Sequence, residues 1–184
     1  MEKLSGKKVA VLATHGFEQS ELEQPVEALK QAGATVHIVA PEGGTIKGWK
    51  DKNWGDDVQV DKTLSEVKAS DYNALVLPGG VMNPDQLRVN KDAVAFVNHF
   101  VTEGKPIGAI CHGPWTLIET DALDGRTLTS YPSIRTDLEN AGAKWVDEEV
   151  HVDSGLVTSR TPKDLPAFCK KLVEEVAEGV HAVH

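Results

Sequence analysis

Ala74-Leu75-Val76-Leu77-Pro78-Gly79-Gly80 is an unbroken apolar run stopped abruptly by a proline and a glycine pair. A strand with one wet face alternates apolar and polar residues. A continuous apolar run of this length is expected of a strand covered on both faces, as in a parallel sheet between helices. Working outward, β-rich runs recur at residues 8–14, 35–40 and 106–110. Helical patterns separate them. Residues 20–31 carry Leu22, Val26 and Leu29 on one face, and Asn90 can cap a helix with Val94, Val97 and Val101 that stops at Gly104. Residues 162–178 form the last helix, and Asp153-Ser154-Gly155 joins residues 149–152 and 156–159 as a hairpin. Such alternation predicts an α/β fold with a mostly parallel central sheet, read as one domain over residues 1–184. Ligands of such sheets bind at the carboxyl edge of the strands, at the topological switch point.

Local signals conflict in places. Ser20 and Glu23 have the spacing of a capping box, yet Pro25 would then lie inside the helix. Either the helix kinks there or it begins at Gln24. Residues 41–62, with Trp49 and Trp54, read as a surface excursion with a small hairpin that roofs the site or lines a subunit contact. Residues 63–68 and 114–120 read as short helices, and residues 133–140 as another.

Composition narrows the function. The chain has 184 residues, with 19 Lys and Arg against 28 Asp and Glu, for a net charge of −9. This excess of acid excludes the basic stripe of a nucleic-acid binder. No phosphate-loop or dinucleotide-fingerprint glycine pattern occurs. No apolar run approaches a membrane span, so no membrane partner is expected. Cys111 and Cys169 lack metal-ligand spacing, and a reducing cytoplasm is the expected location. His15, His37, His99, His151, His181 and His184 read as structural or exposed, so neither metal nor cofactor is expected.

Chemistry concentrates where strands end. Cys111 stands where a buried strand meets a helix-compatible segment, with Gly108, Ala109 and Gly113 allowing close packing. A turn this sharp pushes the side chain over the sheet edge, and free N–H groups beyond it favour the reactive thiolate. His112 follows and can pair with the thiol as in other activated cysteines. Glu18, in the loop after the first strand, opens on the same edge and can donate a hydrogen bond to a thiolate if its pKa is raised. Gly79 and Gly80 let backbone N–H groups approach a substrate oxygen. Asp85 is a candidate to orient the imidazole. Cys169, mid-helix, reads as structural.

Together, residues 74–80, the elbow Ile110-Cys111-His112-Gly113-Pro114, and residues 127–132 and 157–162 resemble the PfpI intracellular-protease family. That family shares a superfamily with the parkinsonism-associated deglycase and the class I glutamine-amidotransferase domains. The resemblance spans residues 7–177 and implies a flavodoxin-like three-layer sandwich. It also implies Cys111 as nucleophile, His112 as its neighbour, Glu18 as the acid bonded to the sulfur, and Gly80 and His112 N–H groups as the oxyanion hole. Asp85 stands where protease-like members carry a glutamate donated across a subunit contact. The activities it implies are glyoxalase or deglycase chemistry on reactive carbonyls, cysteine peptidase activity, or redox sensing through Cys111. A small carbonyl or peptide-like substrate, a role in stress response, and a homodimer or hexamer are the corresponding expectations.

Overall fold

The structure is a computed structural model and describes residues 3–181. In chain order, β1 (Lys8–Leu12) leads through β2 (Phe17–Glu18) into α1 (Gln19–Gln31) and β3 (Thr35–Ala40). The hairpin β4 (Thr45–Lys50) and β5 (Asn53–Gln59) precedes β6 (Lys62–Thr63), β7 (Ala74–Leu77), α2 (Met82–Leu87) and α3 (Lys91–Thr102). Then come β8 (Ile107–Ile110), β9 (Thr127–Leu128), α4 (Arg135–Asn140) and β10 (Lys144–Trp145). The chain closes with β11 (His151–Asp153), β12 (Leu156–Ser159) and α5 (Leu165–Glu178).

The main sheet has the order β11-β12-β8-β7-β1-β3-β6, parallel throughout except for the edge strand β11. Its central strands are apolar on both faces because each face has its own core. Val9 and Val11 of β1 and Ala74 and Val76 of β7 point to one side, with Leu22, Leu29, Phe168 and Leu172 of α1 and α5. Ala10, Leu12, Leu75 and Leu77 point to the other, with Phe96, Val97 and Phe100 of α3. Gly108 in β8 faces α5, where a Cβ would stand 2.8 Å from Leu172 and 3.0 Å from Phe168, so the absent side chain is what lets the helix sit down. No helix among the described residues is long and apolar enough to cross a membrane.

Several local expectations are corrected. The Ser20–Glu23 capping box does not form. Helix α1 starts at Gln19, with Glu18 in the capping position and no side-chain cap bond, and Pro25 lies buried inside it. Pairing of Phe17 and Glu18 with Gly48 and Trp49 fixes the helix start, so tertiary contact overrides the local signal. The segment after Cys111 is a 3₁₀ helix, Gly113–Glu119, in which the Trp115 N–H bonds back to the His112 carbonyl at 3.0 Å. Residues 63–68 likewise hold only a 3₁₀ turn, Leu64–Glu66. Helix α2 has too little apolar periodicity, with Pro84 inside it, to be seen in the sequence.

The loop after β12 is pinned by an ion pair between the half-buried Arg160 and the buried Asp164. The Arg160 guanidinium donates to both oxygens of Asp164, at 2.9 and 3.0 Å, and the Arg160 backbone N–H donates to the same carboxylate at 3.0 Å. Burial would raise the Asp164 carboxyl, but the Arg160 bonds outweigh it and hold it below the usual range. A carboxyl depressed on folding adds stability above its unfolded pKa, and that stability disappears as pH falls through the folded value. Asp164→Ala is therefore expected to lose about 2–3 kcal/mol at pH 7 by urea unfolding. The gap to wild type should close below pH ~4. A gap that persists unchanged into acid would refute the ionic origin of the effect.

Candidate active site

The chain turns back between β3 and β7, so the loops after β1 and β7 flank the switch point, with β8 next in line. Three short segments meet there. Cys111 has φ 62°, in the left-handed region that a side chain with a Cβ rarely adopts. The strain is held from both sides: the Cys111 N–H donates to the Ser159 carbonyl at 3.0 Å, and the Tyr131 N–H donates to the Cys111 carbonyl at 2.9 Å. The thiol is thereby pushed into a cavity of about 380 Å³ bordered by Glu18, Glu21, Trp49, Gly80, His112 and Tyr131. Trp49 thus roofs the site, and it packs edge-on against the half-exposed Trp54, centroids 5.5 Å apart.

The carboxyl brought to the sulfur is that of Glu21, not Glu18. Glu21 lies on the first turn of α1, fully buried, and its Oε1 accepts the Gly79 N–H at 2.9 Å. Its Oε2 is buried without a hydrogen-bond partner, and the carboxyl reaches the Cys111 thiol. Burial first, and then the charge of Glu18, push the Glu21 carboxyl well above the usual carboxylate range. Glu18 is half-buried on the cavity wall, raised more modestly by burial and by Asp51. The displacement follows from the helix register. Glu18 ends a strand and faces the cavity mouth, whereas Glu21, three residues on, points down the inner face of α1. The sequence signal for Glu21 is its place one turn before the buried Pro25 on the face of α1 that also carries Leu22 and Leu29.

The expected low thiol pKa is not what the surroundings give: the Cys111 thiol is pushed well above its ordinary value. Burial, and next the charge of an ionised Glu21, push the Cys111 thiol up, while backbone N–H groups of His112 and Gly80 aimed at the sulfur pull it down. Cys111 is only 7% exposed, so burial carries more weight than the elbow alone suggested. Cys169 is half-buried on α5 with no such partners, its thiol pushed up to about 11 by burial.

His112 Nδ1 lies 3.2 Å from Cys111 Sγ, and Nε2 lies 3.1 Å from the Ser133 hydroxyl. Tyr131 stacks on the ring at 4.8 Å, and burial lowers the imidazole pKa, favouring the neutral ring. Asp85 is exposed on α2, and within one chain the second imidazole nitrogen meets Ser133 instead. Tyr131 lies in the stretch that carries the resemblance, but neither it nor Ser133 is assigned to the site from the sequence, because nothing local links residues 131–133 to residue 112.

The three glycines divide their work. Gly80 lines the cavity at φ +77°, and a Cβ there would fall 2.1 Å from the Gly16 carbonyl oxygen. Gly79 spends its N–H on Glu21, and a Cβ on it would fall 2.7 Å from Cys111 Cβ. Gly113 packs beneath, where a Cβ would stand 2.3 Å from the Leu77 carbonyl oxygen. Asn83, also missed, is fully buried and ties the loops together. Its Oδ1 accepts the Thr14 N–H at 2.8 Å, and its amide donates to the Pro78 and Gly79 carbonyls at 3.0 Å.

A cysteine on a strained strand-end turn, beside a buried carboxyl and a histidine and over inward backbone N–H groups, defines a nucleophile-elbow protein of the α/β class. The chain belongs to the DJ-1/PfpI family, whose model matches residues 7–175. It is 50% identical over 165 residues to general stress protein 18 of Bacillus subtilis, covering 89% of this chain and 94% of that one. It is 47% identical over 164 residues to protein/nucleic acid deglycase 2 of Escherichia coli, covering 88% and 93%. Among solved structures, it superposes with a TM-score of 0.87 and 40% identity on a two-domain protein from Anabaena variabilis with DJ-1/ThiJ/PfpI-like and ferritin-like domains. That match covers 92% of this chain and 48% of the other.

Proposed function

We propose that the chain is a stress-protection enzyme of the cytoplasm that uses Cys111 to detoxify small reactive carbonyls or undo their early adducts on amines. The observation that carries this reading is the Cys111–Glu21 pair at the floor of a cavity sized for a small molecule. The pair shares one proton. As a carboxylate, Glu21 leaves a buried oxygen unpartnered, which is costly. As an acid, it can donate that proton toward sulfur, and an anion on sulfur also receives the N–H groups of Gly80 and His112. Protonation also removes the Glu21 charge, the second cause, after burial, of the raised thiol pKa. The negative charge is accordingly assigned to Sγ and the proton to Glu21.

With methylglyoxal, Sγ adds to the aldehyde carbon and the carbonyl electron pair moves to oxygen, facing the Gly80 and His112 N–H groups. Neutral His112 removes the proton from that carbon and returns it to the adjacent one, while the proton held by Glu21 ends on the adjacent oxygen as the new hydroxyl, giving a lactoyl thioester. Water then releases lactate and restores the thiol, so one water is added overall and no external oxidant is needed. Tyr131 and Ser133 hold the ring in place for the transfer.

The test is lactate release from methylglyoxal, alongside release of free amine from its early amine adducts. Lactate or amine release that needs Cys111 supports the reading; neither product above the rate in buffer refutes it. A peptidase needs a charged third group on His112, for which Asp85 would have to come from a second copy; casein cleavage by the native assembly, lost in Asp85→Asn, would favour it. A redox sensor would take up oxygen at Cys111 under mild peroxide without turning over carbonyls.

A further inference from the structure

Two buried polar atoms away from the cavity, Glu175 Oε2 and His181 Nε2, have no hydrogen-bond partner. They lie 3.0 Å apart, and His181 Nε2 is 3.6 Å from Glu178 Oε2. Glu175 is only 7% exposed, and its carboxylate is aimed at the imidazole from the inner face of α5. Without an ion they make a close carboxylate–imidazole ion pair, and the same separation is that of two ligands of a common ion. A zinc ion bonded at ~2.1 Å to two donors holds them roughly 3–3.4 Å apart. Donor atoms of all three residues lie within 4.8 Å of one another, and Glu178 is exposed enough to close on the other two.

The electrostatics point the same way. Glu175 and Glu178 occupy the last turn of α5, which holds no basic residue. The C-terminal end of a helix is negative and favours cations, and two carboxylates there deepen that negative end, with Lys7 Nζ the nearby cation, 3.9 Å from where a Gly179 Cβ would stand. The expectation that the histidines lack ligand spacing treated them by themselves. Counting carboxylates, Glu175, Glu178 and His181 follow at three-residue steps, and the chain leaving the helix at Gly179, φ +86°, brings the imidazole back over its last turn.

We propose that Glu175, Glu178 and His181 bind one divalent transition-metal ion, with zinc as the representative. One imidazole and two carboxylates suit a first-row ion better than magnesium or calcium, which favour all-oxygen sites. The site is a clamp. The His181 backbone N–H already donates to the Gly104 carbonyl at 2.8 Å, and its ring lies against Gly155 at the β11–β12 turn. A bound ion ties the end of α5 to both neighbours.

The test is calorimetric titration of zinc chloride into the full chain carrying Cys111→Ala, which removes the competing thiolate. One ion per chain is expected, with unfolding raised by about 5–10 °C at a hundredfold excess over Kd. His181→Ala should abolish binding. Glu178→Gln, an exposed change that cannot endanger the fold, should weaken it at least tenfold. Magnesium should produce no comparable shift. Absence of saturable zinc binding, or binding unchanged in both variants, would overturn the site. Since no readout is catalytic, failure here leaves the carbonyl chemistry standing.

Discussion

Cys111→Ser is expected to lower lactate formation from methylglyoxal by at least ~10³-fold, with unfolding shifted by no more than ~1 kcal/mol. The substitution keeps the side chain's shape and its place on the strained turn, so the cavity, His112 and Glu21 stay where they are. What changes is the atom. A serine hydroxyl in this setting has no base strong enough to deprotonate it, because burial lowers the His112 pKa and Glu21 keeps its proton. Residual turnover would come from binding and from the Gly80 and His112 N–H groups alone. Serine and wild-type chains of equal activity would show that the cavity merely concentrates substrate near solvent base.

Gly80→Ala carries the largest expected stability loss. At φ +77° a Cβ is strained wherever it points, and here it would fall 2.1 Å from the Gly16 carbonyl oxygen and 2.8 Å from the Glu18 nitrogen. Both are backbone atoms, so no side chain can swing aside. Backbone strain of ~1–2 kcal/mol and overpacking of ~1–3 kcal/mol together give a loss of about 2–5 kcal/mol. That corresponds to roughly 4–20 °C in Tm for a chain of this size. Gly44→Ala is the control, since Gly44 shares a positive φ of +91° but has nothing within 4 Å of its would-be Cβ. It should lose only ~1–2 kcal/mol. The Gly80 variant should also lose turnover beyond its stability loss, because the displaced loop carries an N–H away from sulfur. Equal melting of the two variants would refute the crowding argument.

The fold was legible because its signals are periodic and local. Ala74–Leu77 and Ile107–Ile110 announce buried parallel strands in a few residues each, and Asn90 caps α3 through the Ala93 N–H at 3.0 Å. The elbow at Cys111 was legible for the same reason: a strand, small residues and a turn in sequence. The rest of the site depends on contacts between distant segments. Glu21 was passed over for Glu18 because a choice between acids on one turn is decided by which faces inward, and that depends on how β2 pairs with β4. Ser133, Tyr131 and Asn83 reach the site only after three loops converge. The 3₁₀ geometry after Cys111 was likewise hidden, since helical spacing over so short a span does not separate the two forms of turn.

The proposed chemistry requires the charge of the Cys111–Glu21 pair to lie on sulfur, and thiolate absorbance followed against pH reads this directly. Cys169, with its thiol pushed up to about 11, supplies an internal reference. The expected result is a separate step for Cys111 below pH ~8.5, the value of a free cysteine, absent in Cys111→Ser and moved upward in Glu21→Leu. A Cys111 that stays protonated until Cys169 ionises, or a step that Glu21→Leu leaves in place or lowers, would contradict it.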